Sequence, residues 1–467
     1  IVLKYDVAII GAGPAGIFAA LELVEHSDDL KVLILEKGYP IKFRQCAVAE
    51  GRPCLHCKPC HLLSGWGGSG AFSDGKLTLS TKVGGWLTDY IDENLLSELV
   101  YYVNNRYMMF DADLSKKSFS QLDVHIIEEI RKKAVLANLK LVPYVVNHLG
   151  SEKARIILTK MYDYLKDKVE IRFRSTVKEI VTDNGQVIGV KLENGELINA
   201  NYVIAAPGRD GANWMKKEAE RLGIPLNLSL VDIGVRVEVP AEVMEPITKY
   251  LYEPKLEYYT KAFDDRVRTF CVNPYGYVTL EAYEDAVLVN GYSNKDNKSN
   301  NTNFALLVSS SFTKPFQSPI EYAKHIARLA NMLSGGNAIV QRLGDLRLGR
   351  RSTEERIKKS IIEPTLKTAM PGDLSFVIPY RHLVDILEML EALDKLIPGV
   401  YDDHTLLYGV EAKFYTARLV VKNNLESPTI ENLYTIGDGV GITRGLIQAS
   451  ISGVLAARDI LKRENLM

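Results

Sequence analysis

Long apolar runs, histidine, cysteine and net charge are all scarce in this chain of 467 residues, and each shortage removes a class of function. Nothing approaches the eighteen or so consecutive apolar residues of a membrane-crossing helix, so no membrane span is expected. The eight histidines show no Ser-His-Asp order or His-x-Glu spacing, which argues against hydrolytic and metal-hydroxide chemistry. Lysine and arginine together number 57 against 58 acidic residues, so no bulk field draws in nucleic acid or anionic lipid. Of only five cysteines, Cys46, Cys54, Cys57 and Cys60 crowd into residues 46–60, the wrong distribution for a disulfide framework. The first strand opens by Tyr5, leaving no room for a signal sequence, and a cytoplasmic protein is expected. The Asn-x-Ser/Thr tripeptides at Asn227, Asn297 and Asn300 would matter only in a secreted chain and are discounted.

What remains is an ordinary globular composition, 46% hydrophobic and 25% charged, with length enough for two domains or one large domain carrying an insertion. The segment "KYDVAIIGAGPAGIFAALELVEHSDDLKVLILEK" reads as a strand over residues 5–10, a glycine turn, an apolar-faced helix and a second strand closing on Glu36. The three glycines serve different physical ends. Gly11 permits the tight turn, Gly13 lets backbone approach a pyrophosphate, and Gly16 allows close helix–strand packing. The helix N-terminus, at Ala15, faces the phosphates, and Glu36, with Lys37 beside it, falls where an acidic strand end takes ribose hydroxyls.

Further along, residues 170–206 read as a strand followed by a three-stranded meander, because Asn184-Gly185 and Asn194-Gly195 each interrupt alternating apolar runs and demand hairpins. The meander ends in "APGRDG", which contains Gly208. Near the C-terminus, "NLYTIGDGVGITRGLIQASISGVLAARDIL" gives a strand, a Gly437-Asp438-Gly439 turn and a long small-residue helix. Here the sequence resembles the superfamily of two-dinucleotide-domain-like FAD flavoproteins. The motifs "GWGGSGAFSDGKLTLS", "RTFCVNPYG", "QRLGDL" and "YTIGDGVGITRGLIQA" are similar, more narrowly, to a largely uncharacterised family of FAD-dependent dehydrogenases. The resemblance implies a discontinuous α/β fold: a Rossmann-like FAD-binding domain with a β-meander over residues 1–225 and 371–467, and an inserted α+β substrate domain over residues 226–370. It also implies that Asp438 binds the ribitol and phosphate of FAD, that Val177 flanks the adenine, and that Gly445 and Leu446 open a helix beside the cofactor.

No second strand–GxGxxG–helix unit follows. Gly65, Gly67 and Gly70 fit the spacing but Pro59 and cysteines precede them, so a dedicated NAD(P) domain is not expected. Gly67, Gly68 and Gly70 instead suit a loop whose amides approach the flavin or its pyrophosphate. Lys76, close behind, and Arg444, at the start of the last helix, are candidates for stabilising reduced flavin. In the inserted segment Arg350 and Arg351 read as a solvated pair or an anion site. Lone Cys271 reads as a small buried hydrophobe.

For Cys46, Cys54, Cys57 and Cys60 the reading stays open between a [4Fe-4S] cluster, a redox-active thiol pair, a zinc site and unliganded structural cysteines. The activity expected is an FAD-dependent oxidoreductase that passes hydride or electrons between a small-molecule substrate and ferredoxin or NAD(P)H. Isoprenoid double-bond reduction, as in geranylgeranyl reductases, and a non-enzymatic flavin-bearing redox sensor are the alternatives.

Overall fold

A computed structural model of the chain describes residues 4–46, 57–73, 75–111, 121–142, 145–227, 230–283, 286–293, 297–310, 312, 316 and 318–467. It divides into two compact units, one formed by Ile1–Lys116, Tyr144–Leu228 and Thr416–Met467, the other by Lys117–Pro143 and Ser229–Tyr415.

In the first unit the opening strand Lys4–Ile10 is flanked in parallel by Val32–Leu35 and Leu197–Ala205. Both faces of such strands are covered, and the opening strand accordingly reads as a nearly continuous apolar run with Val7, Ala8 and Ile9 fully buried. Glu170–Arg172 extends one edge in parallel, Leu433–Thr435 joins Leu197–Ala205, and the antiparallel strands Val177–Asp183 and Gln186–Leu192 complete the sheet. The Asn184-Gly185 hairpin takes the left-handed conformation at both residues, as an Asn-Gly turn between twisted strands requires.

The helix Pro14–His26 is buried along Ala15–Val24, because the sheet lies on one side and the C-terminal helix Leu446–Arg463 on the other. The two helices approach so closely that a Cβ on Gly453 would lie 2.1 Å from the Ala15 carbonyl oxygen. That small-residue seam is the reason for the run "LIQASISGVLAA".

The second unit is built on an eight-stranded, largely antiparallel sheet with Val231–Pro240 near its middle, between Asn301–Ser310 and Leu406–Phe414. The inserted segment therefore ends later than Met370: Leu406–Phe414 is hydrogen-bonded between Val231–Pro240 and Ile339–Arg342, so residues 371–415 belong with this sheet. Lys140–Val142 also pairs at its edge with Lys255–Tyr259. One face of Val231–Pro240 carries Val231, Ile233, Val235, Val237 and Val239 into an apolar core with the helices Ala241–Thr248, Pro319–Leu333 and Tyr380–Leu396.

The alternate residues Asp232, Arg236 and Glu238 are buried too, on the other face. Arg236 Nε and Nη2 donate to Glu411 at 2.7 and 2.6 Å, and Nη1 donates to Asn303 Oδ1 at 2.9 Å. Burial raises the Glu238 carboxyl above its ordinary range even though Thr365, Tyr408 and Asn301 all donate to it. Arg350, read from sequence as a free or anion-holding cation, is bonded to buried Asp345 at 2.8 Å; Arg351 stays exposed. Against the burial that would raise it, Arg342, Ser352 and Arg350 hold the Asp345 carboxyl down to about 2. Cys271 is only half-buried and takes a positive φ of 47°.

Two groups on the helix Tyr380–Leu396 set a pH dependence. Burial lowers the His382 imidazole to about 4 and raises the Asp385 carboxyl to about 6. His382 binds its proton more readily in the unfolded chain, so its contribution is present above 6.5 and is lost as pH falls through 4. Asp385 binds its proton more readily in the folded chain, so its contribution is present below 3.8 and is lost as pH rises through 6. The two oppose each other between pH 4 and 6. Asp385→Asn removes one of them, so its thermal midpoint should climb more steeply with pH across that window than the wild type's. Parallel profiles would contradict this assignment.

Candidate cofactor site

Three turns of the first unit converge. In the first, Gly11 has φ of 99°, and a Cβ there would stand 2.2 Å from the Ala206 carbonyl oxygen. A Cβ on Gly16 would stand 2.0 Å from the Gly11 oxygen. No side chain caps the helix that follows, and Pro14 at its first position has no N–H to satisfy. The exposed dipole end and free amides of such a helix start make an anion site.

The second turn is the glycine loop after the cysteines. Gly67 donates its N–H to the Ala12 oxygen at 2.7 Å, and a Cβ on Gly68 would lie 3.1 Å from Gly13 Cα. Gly70 sits against Leu446 and Pro14, at 3.0 and 3.5 Å from its would-be Cβ. The third turn begins at Gly437, whose φ of 81° suits glycine and whose Cβ would meet Ala15 Cβ at 3.2 Å. Gly439 abuts Gly208 backbone to backbone, with the would-be Cβ 2.2 Å from the Gly208 oxygen. Asp438 accepts from Thr443 Oγ1 at 2.7 Å and from Arg209 Nε at 3.4 Å. The sequence-selected residues Gly11, Gly13, Ala15, Gly16, Gly67, Gly68, Gly70, Gly208, Gly437, Asp438 and Leu446 thus lie on the three converging turns or at their junctions.

Glu36 is a buried knot at the end of its strand. Its carboxylate accepts from the Ala12 N–H at 2.8 Å, the Gly38 N–H at 2.7 Å and the Gly65 N–H at 2.9 Å. Lys37 forms an ion pair with Asp210 at 2.5 Å, and Ser64 Oγ donates to the same carboxylate at 2.5 Å. Against the raising effect of burial, the Lys37 ammonium and the Ser64 hydroxyl hold Asp210 below its ordinary range. Val177 is buried at the start of its strand, paired with Leu192. Gly445 precedes the C-terminal helix, where Arg444 and Gly445 donate backbone N–H groups to the Gly84 oxygen at 2.8 and 3.1 Å. The Arg444 guanidinium stands 5.8 Å from the Trp86 ring centre. Lys76 opens the strand Lys76–Leu79, paired opposite His148.

Some of these supports carry no sequence signal strong enough to find them. Arg44 is fully buried, and donates to the carbonyls of His61, Leu62 and Trp66 at 2.7 to 3.0 Å. Burial pushes it down to about 10, with Glu36 pulling the other way. It clamps the chain between the cysteines and the glycine turn. A lone arginine in a loop gives no periodicity to read. Arg44→Lys keeps the charge but loses the planar fork, leaving buried carbonyls unpaired, and should cost about 1–3 kcal/mol. An unchanged thermal midpoint would contradict the clamp. The Gly84-Gly85-Trp86 loop is signalled only by its paired glycines, and Gln448 fixes it by donating to the Thr81 and Val83 carbonyls at 3.3 and 3.2 Å.

Cys54 lies outside the described residues. Cys46 and Cys60 are half-buried free thiols and Cys57 is exposed. Among the described residues no group of three His, Cys, Asp or Glu side chains is placed to hold a metal ion. Of the four readings of these cysteines, the [4Fe-4S] cluster therefore finds no support among the described residues.

Whether these residues suit FAD is tested by the glycines themselves. At Gly11 and Gly16 a side chain would overlap backbone, and at Gly68 and Gly70 it would crowd the first turn, so the convergence depends on bare backbone lining an uncapped helix start. That is the surface a dinucleotide pyrophosphate requires. Comparison with known proteins agrees. Residues 6–57 match the FAD binding domain family, and residues 231–414 match the family described as FAD-dependent protein, C-terminal domain-like. An uncharacterised protein of Clostridium beijerinckii is 27% identical over 491 aligned positions, covering 99% of this chain and 82% of its own length.

Among solved structures, a quinol-fumarate reductase with menaquinol molecules is 14% identical with a TM-score of 0.43, covering 99% of this chain and 71% of its own. A formate oxidase is 11% identical with a TM-score of 0.46, covering 99% of both chains. No helix among the described residues is long and apolar enough to cross a membrane. With glycine turns that suit a dinucleotide in the first unit and a family match in each unit, the chain is an FAD-dependent flavoprotein.

Proposed function

We propose that the protein is a dehydrogenase or reductase that passes hydride or electrons between a small-molecule substrate and a partner such as ferredoxin or NAD(P)H. The observation that carries this reading is the convergence of the three glycine turns at an uncapped helix N-terminus. Bound there, FAD supplies two-electron hydride chemistry and one-electron transfer, which is why one site can serve either kind of partner. The chain's own residues bind and orient it: Gly11, Gly13 and Gly16 admit the pyrophosphate, Glu36 has acceptor capacity for ribose, and Asp438 accepts ribitol hydroxyls. Gly67, Gly68 and Gly70 keep side chains away from the ring.

Lys76 is assigned to tuning. Its ammonium stabilises negative charge on reduced flavin, so Lys76→Ala should lower the flavin potential, read by dye-coupled reduction. An unchanged potential removes Lys76 from the site.

A relay through a cluster on Cys46, Cys54, Cys57 and Cys60 rests on sequence spacing alone. Iron and sulfide quantitation after anaerobic purification, on wild type and Cys57→Ser, decides it. Iron that is lost in the variant restores the relay, and its absence from wild type leaves direct transfer to the partner. Turnover with NAD(P)H or reduced ferredoxin as donor tests the wider reading. Flavin that neither donor reduces would contradict it.

A further inference from the structure

The first and third of the converging turns, with the loop packed between them, hold a charge problem. Their sequences, GAGPAG at residues 11–16, APGRDG at 206–211 and GDGVGITRG at 437–445, contain two carboxylates, Asp210 and Asp438, and two cations, Arg209 and Arg444. Asp210 is already held by Lys37 and Ser64. Asp438 is held less firmly: its short hydrogen bond comes from the neutral Thr443 hydroxyl at 2.7 Å, and its contact with the Arg209 guanidinium is long, at 3.4 Å. A pyrophosphate entering beside it adds like charge, which the helix dipole offsets only in part.

Arg444 is occupied elsewhere, against the Trp86 ring. Arg209 is 60% exposed and its contact with Asp438 is long, so it costs little to redirect. Its place is fixed nonetheless. Gly208, before it, presses backbone to backbone on Gly439, and Ala206 abuts Gly11, so the loop carrying Arg209 is pinned between the first and third turns.

Resting on the reading of this site as an FAD site, we infer that Arg209 is the charge-compensating residue for the FAD pyrophosphate. It screens Asp438 and donates to a phosphate oxygen, the guanidinium fork being suited to that group. Arg209 is a positioning residue for the cofactor and has no part in the redox chemistry.

The test is FAD titration of the flavin-free full chain, followed by quenching of flavin fluorescence, for wild type, Arg209→Gln and Arg209→Lys. It is run at about 20 mM and about 500 mM salt, which brackets weak and strong screening. Arg209→Gln should bind FAD about tenfold or more weakly at low salt, with the gap closing to about twofold at high salt, and Arg209→Lys should keep most of the affinity. Unchanged affinity at both salts overturns the inference. An equal loss at both salts also overturns it, because that marks a structural defect and not a charge contact. Wild type that takes up no FAD at either salt refutes the FAD reading itself, a result distinct from either of these.

Discussion

Gly11→Ala should yield a chain that no longer retains FAD. The substitution meets two obstacles together: φ at this position is 99°, and the new methyl would stand 2.2 Å from the Ala206 carbonyl oxygen, which belongs to backbone and cannot rotate aside. A strained left-handed residue alone costs on the order of 1–3 kcal/mol, and forced separation of packed backbone adds a similar amount. The turn must open, and opening it moves the helix start at Pro14 away from both other turns. The expected result is a colourless preparation with a thermal midpoint lowered in proportion to about 3 kcal/mol or more. Gly195→Ala makes the control, because that glycine also has positive φ, at 91°, but meets nothing within 4 Å. It should show backbone strain alone and keep its flavin. If Gly11→Ala retains FAD at wild-type affinity, the first turn does not line the cofactor site.

The second large effect lies in the other unit. Glu411→Gln removes one charge of a pair in which both side chains are fully buried. Arg236 would then stand in the interior with amide acceptors only, Asn303 Oδ1 and the Cys271 carbonyl oxygen among them. Breaking one side of a buried pair costs about 3–5 kcal/mol, most of it the penalty of stranding the partner charge. Thermal or denaturant unfolding should show that loss in Glu411→Gln, and replacing both residues together with apolar side chains should recover a large part of it. A Glu411→Gln variant as stable as wild type would mean that Arg236 finds compensation elsewhere. Gly291 leaves little room for that, since even a Cβ there would stand 2.2 Å from Arg236 Nη1.

These two sites differ sharply in how far the sequence reveals them. The first strand, its glycine turn and its helix are legible because every local signal agrees: an apolar run of strand length, glycines at fixed spacing, proline at the first helical position, then an amphipathic stretch. The meander is legible because Asn-Gly specifies a hairpin by backbone conformation alone.

The Arg236–Glu411 pair is not legible. The partners are 175 residues apart, and nothing in the alternation of charged residues with valines in "VDIGVRVEVP" shows that Asp232, Arg236 and Glu238 are all buried. Periodicity identifies the strand and says nothing of what covers its polar face. The same limit hides the end of the inserted segment, since strand pairing at Leu406–Phe414 is a long-range property.

At the cofactor site, the glycines are legible because their spacing encodes a backbone shape. Arg44, Asp210 and Ser64 are not, because they act through hydrogen-bonded contacts that no spacing records. Glu36 is identifiable by its position at a strand end, but its three amide bonds, to Ala12, Gly38 and Gly65, make it a structural knot that no spacing announces.

The decisive measurement is of the cofactor itself. The full chain is purified, its absorption spectrum recorded, and any released cofactor identified by mass. A flavin spectrum and FAD in stoichiometric amount are expected, either as isolated or after incubation of colourless protein with FAD, together with loss of that binding in Gly11→Ala. Protein that neither carries nor takes up FAD, while folded by circular dichroism, would contradict the assignment of the three glycine turns to an FAD site.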